Sequence, residues 1–225
     1  MDGTILEESP PSEIAALAER IGSEWSNPAL NEAVAFAAEL LQREPDNLDA
    51  LWVLGMANHN LSVNEVRGAA LQAQGHFKKL LELQPDSALA HAYMGNSTIL
   101  VARDSRNVMT KAQTVKRGLD FLDQAVAMAP DSIVIRQLRA NSGRRLPKLF
   151  GRKPVAKEDF RHLLALLPPP PERAELRAEI SYELALLSTD KADRPDRESL
   201  LRDAVAIAPD SHWARLASEL LAQTP

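Results

Sequence analysis

Four times in 225 residues the chain repeats one short punctuation, a proline followed by aspartate and then asparagine or serine: Glu44-Pro45-Asp46-Asn47, Gln84-Pro85-Asp86-Ser87, Ala129-Pro130-Asp131-Ser132 and Ala208-Pro209-Asp210-Ser211. Each follows an apolar run of helical character, such as Lys79-Leu80-Leu81-Glu82-Leu83. Proline lacks a backbone donor and biases the residue before it away from the helical region, so the incoming helix stops. Short side-chain oxygens of Asp, Asn or Ser then accept the unpaired amides of the next first turn, and an acid there suits the positive end of the helix dipole. The result is a tight corner between two helices.

The four prolines are 40, 45 and 79 residues apart, and the last interval is close to two units, which puts a disguised corner between Pro130 and Pro209. The run Leu166-Leu167-Pro168-Pro169-Pro170-Pro171-Glu172 supplies it, its last proline suited to the first turn of the next helix. Helices are expected over 12–25, 28–43, 47–60, 63–83, 87–103, 108–128, 132–142, 156–167, 172–188, 196–207 and 211–223, with ends good to about 2–4 residues. That is about five helix pairs plus a C-terminal capping helix over residues 12–225, one repeat domain, behind a mobile leader at 1–11. Arg144 to Val155, with Pro147, Gly151 and Pro154, reads as the longest loop.

Composition agrees with helices: aromatic residues are 4% and glycines only 9, low for a β fold with many turns. The absence of cysteine excludes disulfides, thiolate metal sites and thiol nucleophiles. Met1 to Ser12 has no basic residue or apolar run of the kind a secretory signal needs, and no stretch approaches the roughly 20 apolar residues of a membrane span. A cytoplasmic protein is expected.

Within the units, Leu54-Gly55 and Met94-Gly95 fall at matching distances after Pro45 and Pro85, and Ala33, Ala73, Leu40, Leu80 and Ala125 hold small and apolar positions of second helices. In these features, over most of residues 12–223, the chain resembles the tetratricopeptide repeat family, including bacterial repeat proteins of that kind. The units run longer than the family's usual 34 residues, with insertions expected after Asn58 and after Ala102. The resemblance implies an all-α, α-α superhelix and a scaffold or adaptor that binds a peptide or helix of another protein on its concave face. The basic clamp by which some relatives hold a peptide carboxylate is not matched, because Trp52 and Met56 stand where its first members belong and Asn96 is left alone.

An enzyme is not expected, and neither is a cofactor or a metal. There is no Gly-rich phosphate loop or serine elbow, and His59, His76, His91, His162 and His212 are too scattered for a helical metal pair. Trp25, Trp52, Tyr93, Phe121, Tyr182 and Trp213 are groove candidates on helical faces, although large rings more often fill contacts between helices. Trp52 and Tyr93 are the foremost of these candidates, and Asn96 lies in the same first helix as Tyr93.

Charge is uneven. Residues 1–100 hold 5 basic and 14 acidic side chains, 101–153 hold 12 and 4, and 154–225 hold 9 and 13, within a net charge of -5. The basic middle includes Arg103, Arg106, Lys111, Lys116 and Arg117, then Arg136, Arg139, Arg144, Arg145, Lys148, Arg152 and Lys153. Arg136, Arg139, Arg144, Arg145, Lys148 and Arg152 are therefore expected either to capture an acidic or phosphate-bearing ligand, nucleic acid being the least favoured, or to meet the protein's own carboxylates. A homo-oligomeric assembly element is the other alternative to an adaptor.

Overall fold

A computed structural model describes residues 26–104, 107–188 and 194–223. The expected leader at 1–11, the expected helix at 12–25 with Trp25, and Arg106 lie outside them. Among the described residues ten α-helices follow in order: α1 (Asn27–Arg43), α2 (Leu48–Val63), α3 (Ala69–Leu83), α4 (Ala88–Asp104), α5 (Val108–Met128), α6 (Ile133–Arg145), α7 (Lys153–Leu166), α8 (Ala174–Leu187), α9 (Arg194–Ile207) and α10 (His212–Ala222). A 3-10 turn, Lys148–Phe150, follows α6, and no strand occurs among the described residues. The fold is all-α, with consecutive helices paired as in an α-α superhelix.

The corners work as the sequence dictates, with one refinement. The cap is the residue after the aspartate: Asn47 Oδ1 accepts the Ala50 amide at 2.9 Å, and Ser87, Ser132 and Ser211 hydroxyls accept the amides of Ala90, Ile135 and Ala214 at 3.3, 3.4 and 3.1 Å. The preceding helix closes on itself, the Glu44, Gln84 and Ala129 amides donating to the carbonyls of Leu40, Leu80 and Ala125. The proline carbonyls, left over at the corner, are used as well. His91 Nε2 lies 2.9 Å from Pro85 O, and Arg136, at the same place in its own repeat, donates to Pro130 O.

Among the boundaries that differ from expectation, α2 runs on to Val63 rather than 60 and α6 to Arg145 rather than 142, and three helix starts differ for local reasons. α3 starts at Ala69 rather than 63 because Glu65 and Gly68 take left-handed backbone angles, φ 63° and 84°, which no helix contains. α7 starts at Lys153 rather than 156: Pro154 sits in the first turn, where its missing amide has no helical partner to lose. α8 starts at Ala174, after Arg173 at φ 49°, so the prolines 168–171 stay in the corner and none opens the helix.

The chain divides into two compact units, Met1–Leu138 and Arg139–Pro225. In the first, α1 packs on α2, α2 on α3, α3 on α4 and α4 on α5, and α2 also touches α4. Leu30, Ala33 and Ala37 of α1 are buried with Ala50, Val53, Leu54 and Ala57 of α2. Phe77 of α3 is fully buried against α2, and a Cβ added at Gly55 would stand 2.7 Å from its ring. In the second unit α7 packs on α8, α8 on α9, and α10 on both α8 and α9. Ala178, Ala185, Leu201, Ala204 and Ala217 form its core, and α10 leaves Arg215 and Glu219 in water.

Candidate partner-binding surface

Of the groove candidates in the first unit, Tyr93 is interior. Tyr93 stacks on Phe77 (ring centroids 5.4 Å, planes 17° apart) and meets Trp52 and His59 edge-on at 5.7 and 5.3 Å. With Tyr93 only 9% exposed, burial pushes its hydroxyl up to about 12. Tyr93 is thus a core ring. Trp52 is half-buried, and Asn96, also half-buried, is already engaged within the protein.

Beside these rings runs a buried polar seam. His59 Nδ1 faces the Ser97 hydroxyl at 3.4 Å, and Asn58 Nδ2 donates to Leu54 O at 2.8 Å. Thr98 donates back to Met94 O at 2.7 Å and accepts from Gln74 Nε2 at 2.9 Å. Arg103 reaches Ser62 O through both terminal nitrogens, each at 3.2 Å. Burial lowers the His59 imidazole to about 4, so it is neutral at physiological pH.

Part of the basic segment, Arg136, Arg139, Arg144 and Arg152, is committed inside the fold, whereas Lys116 and Arg117 of α5 are exposed. Arg136 is buried on its proline carbonyl. Arg139 forms a two-pronged pair with Asp159, Nε to Oδ2 at 2.8 Å and Nη2 to Oδ1 at 2.7 Å, and Asp159 is fully buried. Arg144 donates from Nη2 to Glu183 Oε1 at 2.7 Å and from Nε to Asn141 Oδ1 at 3.0 Å. Arg152 is half-buried and engaged. Arg145, Lys148 and Lys153 remain exposed around Leu149, itself 77% exposed, in a stretch from Ser132 to Lys157 with no acidic residue.

What the sequence reading missed is the acidic side of these contacts. Glu175, Glu179 and Glu183 lie on α8 at successive helical turns, and Tyr182 beside them packs on Trp213 of α10 (5.7 Å between centroids). The four-residue spacing was readable, whereas the burial of Glu183 was not. Elsewhere in this unit a cleft of about 300 Å³ is lined by Arg161, Leu164, Leu184, Ser188, Asp196, Ser199 and Leu200. No helix among the described residues is long and apolar enough to cross a membrane.

Neither a protein-family model nor a curated protein matches the sequence. Solved structures do match in fold. The crystal structure of TTC0263, described as a thermophilic TPR protein in Thermus thermophilus, superposes with a TM-score of 0.69 at 16% identity, covering 92% of this chain and 96% of that one. Two crystal structures of MamA give TM-scores of 0.57 and 0.55 at 14% and 15% identity, over 86% and 87% of this chain and 94% and 90% of theirs.

Proposed function

We propose that this chain, which has the fold of tetratricopeptide repeat proteins, is a non-enzymatic scaffold that holds a peptide or helical segment of another protein on the polar faces of its helices. The observation that carries this reading is the repeat itself, four capped corners of one design that stack helix pairs. Stacks of this kind owe stability to neighbour contacts and spread side chains over an extended surface. Capture of partners from the native host with the tagged full chain, read by mass spectrometry, is expected to retain at least one protein across growth conditions. Retention of none would overturn the reading. The cytoplasmic location is part of the same proposal.

A second reading is supported by one observation, the acid-free stretch in which Arg145, Lys148 and Lys153 are exposed. Such a segment attracts phosphate-bearing ligands, with an affinity that falls as salt rises. Titration of single-stranded RNA or DNA at low salt tests it, and no binding there removes it.

A further inference from the structure

Glu175, Glu179 and Glu183 are one helical turn apart on α8, a spacing that sets them on one face. They step from water to interior: Glu175 is exposed, Glu179 half-buried, and Glu183 only 3% exposed. Arg144 takes one oxygen of Glu183, Oε1, at 2.7 Å. The other, Oε2, is buried without a hydrogen-bond partner. A buried carboxylate oxygen without a hydrogen bond costs free energy, and a donor brought to it would relieve that cost.

The surroundings add negative charge. Burial, and next to it the charge of Glu183, push the Glu179 carboxyl above the usual carboxylate range, with Glu175 adding to the effect and Arg144 and Arg145 opposing it. Burial raises Glu183 too, again against both arginines. Glu219 of α10 acts on Tyr182, whose hydroxyl is raised by burial first and by Glu183 and Glu219 after it. Glu179 and Glu183 thus share Arg144, which is already spent on Glu183 and Asn141, while Glu175 adds its charge at the exposed end of the row. Tyr182 and Trp213, tilted 43° to one another, stand beside the row. Among the described residues no three His, Asp or Glu converge as a metal ion requires. A cation on a long apolar stem is the better complement, its head on the carboxylates and its stem along the rings.

We propose that the α8 row, Glu175, Glu179 and Glu183, with the Tyr182–Trp213 pair beside it, binds a lysine or arginine side chain of a basic peptide segment in the partner. The proposal rests on the scaffold reading above and names the chemistry of what is bound. The partner it calls for is opposite in charge to the anionic ligand of the second reading, and Arg144 does not repel it because it is paired with Glu183.

The test uses the full chain and three fluorescein-labelled octapeptides, one of arginines, one of glutamates and one of neutral apolar residues, followed by anisotropy at about 0.15 M salt, where distant charges are screened. The arginine peptide is expected to bind, and the double variant Glu175→Gln/Glu179→Gln to weaken it about tenfold. A matched pair of exposed glutamates in the first unit, Glu39→Gln/Glu82→Gln, removes the same charge and is expected to leave binding within about twofold. Equal losses from the two pairs would reduce the effect to general attraction by an acidic chain and overturn the proposal. Binding of the glutamate or apolar peptide in place of the arginine one would overturn it while leaving the scaffold reading intact. Binding of none of the three also overturns it, and the scaffold reading then stands or falls on partner capture alone.

Discussion

Gly95 of α4 and Gly118 of α5 meet backbone to backbone: a Cβ added to Gly95 would stand 2.6 Å from the Gly118 carbonyl oxygen, and one added to Gly118 2.7 Å from that of Gly95. Neither obstacle is the end of a flexible side chain, so relief requires the helices to part. Gly95→Ala is therefore predicted to destabilise by about 2 kcal/mol or more, despite the roughly 1 kcal/mol that alanine gains over glycine inside a helix. Gly75 of α3 is the control, since a Cβ there meets nothing within 4 Å. Gly75→Ala is predicted to stabilise by up to about 1 kcal/mol, and urea unfolding of the two variants reads both signs.

The Arg139–Asp159 pair predicts a large asymmetry. Arg139→Ala removes the two-pronged guanidinium from a fully buried carboxylate and should cost about 3–5 kcal/mol. Replacing both, Arg139→Met with Asp159→Leu, should recover most of that loss, because the second change removes the buried charge. Unfolding free energies of Arg139→Ala and of the double variant check it. A loss from Arg139→Ala within the range of ordinary surface changes would mean that these residues do not form the pair described.

His59 sets an acid limit on the first unit. Its folded value of about 4 lies below the ordinary 6.5, so the fold favours the neutral ring. That contribution is complete above pH 6.5 and is lost as pH falls from 6.5 through 4, to a total of roughly 3 kcal/mol. His59→Gln is expected to flatten the dependence of stability on pH across this window, whatever it does to stability at neutral pH. Thermal melts at intervals from about pH 7 to about pH 4 measure the slope, and identical slopes in the two proteins would contradict the burial of an imidazole facing Ser97 and Tyr93.

The corners predict which member of each Asp-Asn or Asp-Ser pair matters. Asn47→Ala and Ser211→Ala remove caps and should cost about 1 kcal/mol each. Asp46 instead reaches Lys79 across the surface at 2.9 Å, and Asp46→Ala should change stability little.

These corners explain how much of the fold was legible. Proline stops a helix and Asn or Ser starts one through contacts within three residues, so Pro45, Pro85, Pro130 and Pro209 carried the pairing by themselves. Boundaries failed where a backbone angle decided them: Glu65, Gly68 and Arg173 hold left-handed conformations that their residue types only permit. The surface was less legible because its partners are distant in sequence. Arg139 finds Asp159 twenty residues on, and Arg144 finds Glu183 on a helix two elements away, so these two cations meet the protein's own carboxylates while Arg145, Lys148 and Lys153 stay exposed. Tyr93 reads as a groove ring, and three neighbouring rings on α2 and α3 make it core.

The central claim, that the chain is a peptide-binding scaffold, is tested most directly by panning a random peptide library against the immobilised full chain, with an unrelated helical protein of similar net charge as background. The account predicts enriched peptides that compete with one another, carry lysine or arginine, and bind with Kd of about 10 µM or tighter. Recovery of no sequence above that background would contradict it.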